Sequence, residues 1–331
     1  MAVVAIVTAV FLGLVLKDLD LSAARASIAA FEAWTLLPMA GLYVLAHGLR
    51  SVRLSLLLKD EGTPDVPLLR LFVVNGVGFL AINLIPLRLG EMVRPWLLAE
   101  RYGVPFGRGL AAILLERMLD FVVLLGMLLG LGLVVDLPAE GLEVAGVDVI
   151  HTAQRALGVL LLVGIVGGGV AVALGDQAAA LLRRLPLGEP ISRFALQFRG
   201  AFVALLKRPG RALGAASASV GIVAATVAAV AVVMSGFEGI PASLVTAFAT
   251  WTITLSGMVA VPTPGFFGPY ELFCTAALWL WRVDPQVARA FAITLHLGQF
   301  GFTLLLGGAS LAAEGLGLRD LVRPAPSSRG S

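Results

Sequence analysis

The sequence predicts an all-α, polytopic membrane protein of about six spans plus two re-entrant hairpins, arranged as an inverted repeat. Three observations lead there. Hydrophobic residues make up 59% of the chain and charged residues 14%, with a mean hydropathy of +0.95; a soluble domain carries about 25% charged residues. The apolar runs are long and continuous rather than alternating, which selects helices over barrel strands. Two of the long runs also break at the same kind of place. One reads Asn83-Leu-Ile-Pro86-Leu-Arg88-Leu-Gly90-Glu91, the other Val261-Pro262-Thr-Pro264-Gly265-Phe-Phe-Gly268-Pro269-Tyr270-Glu271. Paired Gly/Pro breaks in two halves of a membrane protein point to a binding site near the bilayer midplane.

The elements follow in chain order. Residues 2–16 are apolar but lack a basic leader, so they are read as a retained first span rather than a cleaved signal. Further spans are expected at 36–58, 109–135, 155–175, 213–234 and 287–314, with broken runs at 72–101 and 244–281. Cytoplasmic loops collect Lys and Arg. Segments 50–70, 88–108 and 176–211 and the tail are basic and belong inside; 136–154 and 235–243 carry acids only and belong outside.

Run 72–101 is flanked on both sides by inside-type loops, so it enters and leaves on the cytoplasmic side, with its tip at Pro86 to Gly90. Run 244–281 enters from outside, with its tip at Pro262 to Gly268. Both termini are then cytoplasmic, and Arg282 and Arg289 fall outside. A shift of 180 residues lays Glu91 on Glu271, Pro105 on Pro285 and Glu116 on His296. Three spans separate the hairpins, so the copies have inverted topology. The repeat halves run roughly 36–175 and 213–314 in a single domain over 1–316; 317–331, rich in Pro, Ser and Gly, is expected to be a disordered cytoplasmic tail.

The chemistry-bearing residues gather near the breaks. Asp120 lies 11 residues past Gly109, about 16 Å along a helix and near mid-bilayer. Glu116 and Asp120 share a face, and Arg117 reaches Asp120. Charges at that depth cost about 2.5–3.5 kcal/mol each and mark a pathway; an internally paired structural cluster is the plainer alternative. Arg88 and Arg94 flank Glu91 at a broken helix whose free N–H groups attract anions, and arginine's fork suits phosphate. The first hairpin is therefore a candidate phosphate-headgroup site. Surface positive-inside charge is the alternative for Arg94 and Arg101.

Glu271, beside Tyr270, is read as a lone intramembrane carboxylate, a proton or cation site, or as the acid capping the returning arm. Arg50 and Arg53 are expected to snorkel to the inner interface. His47, His296 and Gln299 are expected to hydrogen-bond between helices. The segment 190–207 suits an amphipathic helix on the inner leaflet. Glycines 164–169 lack the strand and Gly-Lys-Ser/Thr ending of a phosphate loop and are read as close helix packing. Cys274 is the only cysteine, and the three histidines are scattered, so no metal and no cofactor are expected.

The run Asn83-x-x-Pro86-x-Arg88-x-Gly90-Glu91-x-x-Arg94, with Glu116-Arg117-x-x-Asp120 and Pro264-Gly265-x-x-Gly268-x-x-Glu271, resembles the lysylphosphatidylglycerol synthase transmembrane-region family, flippase-like proteins also called YbhN-type. The resemblance covers nearly the whole chain. It implies a bacterial inner-membrane protein that moves a lipid between leaflets. The soluble aminoacyltransferase domain of two-domain synthases has no counterpart here, so lipid aminoacylation does not carry over. Phe266-Phe267-Gly268-Pro269 stands where a Gly-Leu-Gly-type loop is more usual, which makes the second hairpin bulkier.

On this reading the chain is a flippase-like transporter, not an enzyme, for an anionic, aminoacylated, glyco-phospholipid or polyprenyl-linked lipid. The expected substrate-binding residues are Asn83, Arg88, Glu91, Arg94, Glu116, Arg117, Asp120, Tyr270 and Glu271. Pro86, Gly90, Pro264, Gly265 and Gly268 act as hinge or gate. Arg88 and Arg94 meet phosphate; Glu91, Glu116, Asp120 and Glu271 handle cation or proton charge. Membrane lipids are the expected partners, with self-association open and nucleic acid not expected. A membrane enzyme acting on a lipid-linked phosphate, and a non-transporting scaffold for envelope lipid synthesis, are the alternatives.

Overall fold

Apolar chain in lipid must satisfy its own backbone, and the computed structural model does so with helices. It describes residues 21–59, 62–85, 90–135, 188–261 and 263–322, with isolated positions at 13 and between 143 and 166. The helices are α1 (Leu21–Ala30), α2 (Leu36–Leu58), α3 (Leu68–Leu84), α4 (Val93–Tyr102), α5 (Phe106–Val134), α6 (Gly188–Leu206), α7 (Pro209–Met234), α8 (Leu244–Ala260), α9 (Pro269–Leu278) and α10 (Pro285–Ala313). A two-residue antiparallel ladder pairs Glu143–Val144 with Val147–Asp148. The expected spans at 2–16 and 155–175 are described only at isolated positions, and the glycines at 164–169, the tip residues Pro86, Arg88 and Pro262, and the tail beyond 322 lie outside the described residues.

Among the described residues, α5, α7 and α10 are long and apolar enough to cross a membrane. Their 29, 26 and 29 residues span roughly 39–44 Å at helical rise. The α2 helix matches the expected 36–58 span and carries His47, Arg50 and Arg53 in its second half.

Each broken run contains two helices that pack on each other. In the first, α3 packs on α4. Gly90 sits so close to α3 that a Cβ there would lie 2.3–2.5 Å from the backbone of Ala81 and Ile82. In the second, α8 packs on α9, and a Cβ on Gly257 would lie 1.9 Å from the Phe273 ring. No side chain larger than hydrogen fits either seam. The second tip bends through positive φ at Gly265 (59°), Phe266 (61°) and Gly268 (93°). Glycine adopts such angles freely, but Phe266 does so only under strain.

The chain divides into two compact units, each with one hairpin. The first comprises residues 1–49, 118–164 and 218–302, the second residues 50–117, 165–217 and 303–331.

In the first unit, Val230, Val233, Phe291 and Leu295 are fully buried with Met39 and Trp251. A second cluster joins Leu124, Leu128 and Leu131 of α5 to Ile253 and Phe273 of the hairpin. The end of α7 is pinned where the Glu32 N–H donates to the Gly236 carbonyl at 3.0 Å and Phe31 stacks on Phe237 at 4.7 Å. Along α8, Thr252, Thr254 and Ser256 each donate a hydroxyl to the carbonyl four residues back, at 2.6–2.8 Å.

In the second unit, small residues let helices approach closely. A Cβ on Gly76 would lie 2.1 Å from Ser310 Oγ, and one on Gly307 2.5 Å from Leu80 Cβ. The α4 helix ends at Gly103 in the left-handed region, with the Val104 N–H on the Leu98 carbonyl. That is a helix stop glycine provides readily. Arg108 Nη2 donates to the carbonyls of Leu57 and Leu58 at 3.4 Å, and Arg211 Nη1 to that of Lys59 at 2.9 Å. Two guanidiniums thus neutralise the negative end of α2.

Candidate functional site

The first site forms inside the second unit. Gly78 is the permissive residue: a Cβ there would lie 2.2 Å from Arg94 Cγ. The bare backbone lets the Arg94 side chain lie flat along α3, 1% exposed. Its Nη1 donates to Glu116 Oε2 at 2.7 Å and to Asn75 Oδ1 at 2.9 Å. Asn75 in turn donates to Ser51 Oγ at 3.2 Å. The other oxygen of Glu116 accepts from Arg53 Nε at 3.4 Å, with Arg53 2% and Glu116 0% exposed. The Phe79 ring lies beneath the guanidiniums of Arg50 at 4.9 Å and Arg94 at 5.6 Å, a cation–π arrangement. Arg117 Nε stands 3.9 Å from Glu91 Oε2 at the more open side, 24% and 14% exposed.

Two sequence readings change here. Arg53 does not snorkel; Glu116 holds it in the interior. Arg94 belongs to the buried cluster, not to surface charge. Both oxygens of Glu116 are taken by arginines, so its charge is spent on positioning them. Local spacing could not show this, because Arg53 and Glu116 are 63 residues apart and Arg94 and Glu116 22 apart.

Arg94 still has unused chemistry. Its Nε and Nη2 are buried and, among the described residues, have no hydrogen-bond partner. These two donors lie on one edge of the guanidinium, the edge that grips two oxygens of a carboxylate or phosphate side by side. Buried donors left unmade cost about 1–3 kcal/mol each. Among the described residues, Arg50, Arg53, Arg94 and Arg117 gather here with Glu91 and Glu116. Asn83 stands apart, its amide donating to its own helix at Phe79 O, 2.9 Å. Asp120 is half-buried on α5 in the other unit. Sequence reading missed Asn75, Ser51, Phe79, Gly78 and the depth of Arg53. A buried Asn and two glycines on an apolar helix were the available signal.

The second site forms inside the first unit. Pro269 opens α9, and Glu271 Oε2 accepts from the Gly268 N–H at 2.7 Å, so the carboxylate does cap the returning arm. Glu271 is not alone. Its Oε1 meets His296 Nδ1 at 2.6 Å, and His296 Nε2 meets the Gly265 carbonyl at 2.9 Å. Tyr270 stacks on the imidazole at 4.2 Å and 8°, and Phe267 lies 4.7 Å away. The pair was hidden in the sequence because 25 residues separate its members. Among the described residues, no group of three or more His, Cys, Asp or Glu is placed to hold a metal ion.

No curated protein and no solved structure matches the chain. A family model does: that of the lysylphosphatidylglycerol synthase TM region matches residues 1–307 of 331. The helical membrane architecture is consistent with that match. The chain belongs to the lysylphosphatidylglycerol synthase TM-region family, integral membrane proteins with a membrane-lipid role.

Proposed function

We propose that the protein moves an anionic lipid between leaflets, with the headgroup phosphate seated on Arg94. The carrying observation is the unused edge of Arg94, buried in the arginine–glutamate cluster. A phosphate offers the two oxygens that edge needs, and arginine's planar fork makes the match directional. Glu116 and Asn75 hold the opposite side of the guanidinium and aim it. Acyl chains stay in the bilayer. The inner bacterial membrane, with both termini cytoplasmic, is the matching setting.

The test is leaflet exchange of a fluorescent anionic phospholipid in proteoliposomes. Arg94→Lys keeps the charge and loses the fork; it should slow exchange tenfold or more. A zwitterionic lipid of the same chain length should exchange more slowly than the anionic one in the wild type. Wild-type exchange of the anionic lipid by Arg94→Lys overturns the assignment.

A further inference from the structure

Gly265 O is a carbonyl and only accepts, so His296 Nε2 must carry a hydrogen to bond it at 2.9 Å. That leaves the 2.6 Å contact between Nδ1 and Glu271 Oε1. One proton fits between these atoms. It sits on nitrogen as imidazolium facing carboxylate, or on oxygen as a carboxylic acid facing neutral imidazole. Either way the pair is neutral. Without that proton, a lone pair faces a carboxylate oxygen across 2.6 Å, and one negative charge stays buried with side chains 4% and 7% exposed. Such a charge is strongly disfavoured, so the contact must part.

We propose that Glu271 and His296 form a single-proton binding site that latches the second hairpin shut, and that losing the proton opens the Pro264–Gly268 turn. The pair grips this turn at two points, beside the turn's own bonds from Thr263 Oγ1 to the Phe267 carbonyl at 2.9 Å and from the Phe266 N–H to the Thr263 carbonyl at 3.0 Å. His296 holds the Gly265 carbonyl, Glu271 holds the Gly268 N–H, and the strained Phe266 lies between them. Tyr270, stacked on the imidazole, has Tyr43 of α2, Cys274 of α9 and Gln299 of α10 among its own neighbours. The rings of Tyr270, Phe267 and Phe300 surround the imidazole. This inference stands on the second hairpin alone and does not need the lipid assignment.

Cys274, one turn beyond Glu271 and fully buried, is the chain's only cysteine and a native reporter. The experiment follows its alkylation by a fluorescent maleimide in the full-length protein in nanodiscs, from pH 6 to 9.5. Each rate is normalised to the unfolded protein at the same pH, which removes thiol ionisation. The wild type should be protected at pH 6 and lose at least tenfold protection at pH 9.5. Glu271→Gln keeps both hydrogen bonds, with its amide N–H to Nδ1 and its oxygen to Gly268, but has no proton to lose. It should stay protected throughout. Equal pH dependence in wild type and variant, or a wild type protected at every pH, overturns the proposal. If the variant does not fold, hydrogen exchange of 263–271 in the wild type decides instead. Corrected for intrinsic base catalysis, its protection must fall over the same range, and unchanged protection overturns the latch.

Discussion

Glu116→Gln is the sharpest probe of the first cluster, because one carboxylate there serves two buried arginines. The substitution keeps size and shape. It removes the charge and turns one arginine-facing oxygen into an NH2 group that cannot accept. Breaking a buried, hydrogen-bonded ion pair costs about 3–5 kcal/mol. Taking about 2 °C per kcal/mol for a chain of this length, the apparent melting temperature should fall by about 6–10 °C. The control is Glu91→Gln. Its contact with Arg117 is 3.9 Å long and partly exposed, so it contributes about 0–1 kcal/mol and should shift melting by less than about 2 °C. Tryptophan fluorescence of detergent-solubilised protein, at one fixed heating rate because such unfolding is usually irreversible, reads both. Equal shifts for the two glutamates would refute the claim that Glu116, and not Glu91, holds the buried arginines.

Two further outcomes follow from the same geometry. Gly78→Ala drives a Cβ into Arg94 Cγ; it should destabilise by about 1–3 kcal/mol and slow anionic-lipid exchange as Arg94→Lys does. Tyr102 donates to Glu314 Oε1 at 2.5 Å, and burial, together with that carboxylate, pushes the Tyr102 phenol up to about 12. The unfolded phenol ionises near about 10, so this contact's stabilisation is complete below that pH and is lost as pH rises toward about 12. Tyr102→Phe should flatten the decline in melting temperature over that window.

The breaks in the two apolar runs were legible in the sequence because their signals are local: Gly and Pro interrupt each run. The ends of α2 were legible too, since charge composition changes at both. The site was legible only as an inventory. Arg94, Glu116 and Glu271 stand out as charges in apolar chain, but their partners are set by tertiary packing. Nothing near Glu271 in sequence announces His296, and nothing near Arg53 announces Glu116. The glycine that admits Arg94 reads as ordinary small-residue packing until the side chain beside it is seen.

The hydroxyl ladder of α8 gives the second hairpin a gradient of compliance. Thr252, Thr254 and Ser256 share carbonyls that the helix's own N–H groups also need, and such sharing loosens and bends a helix. The arm opposite has no such softness, since Pro269 and the Glu271 cap stiffen its first turn. Bending strain applied at the tip should therefore concentrate in the last turns of α8. There deuterium uptake would run ahead of α9, and the tip would swing on one soft arm against a fixed one.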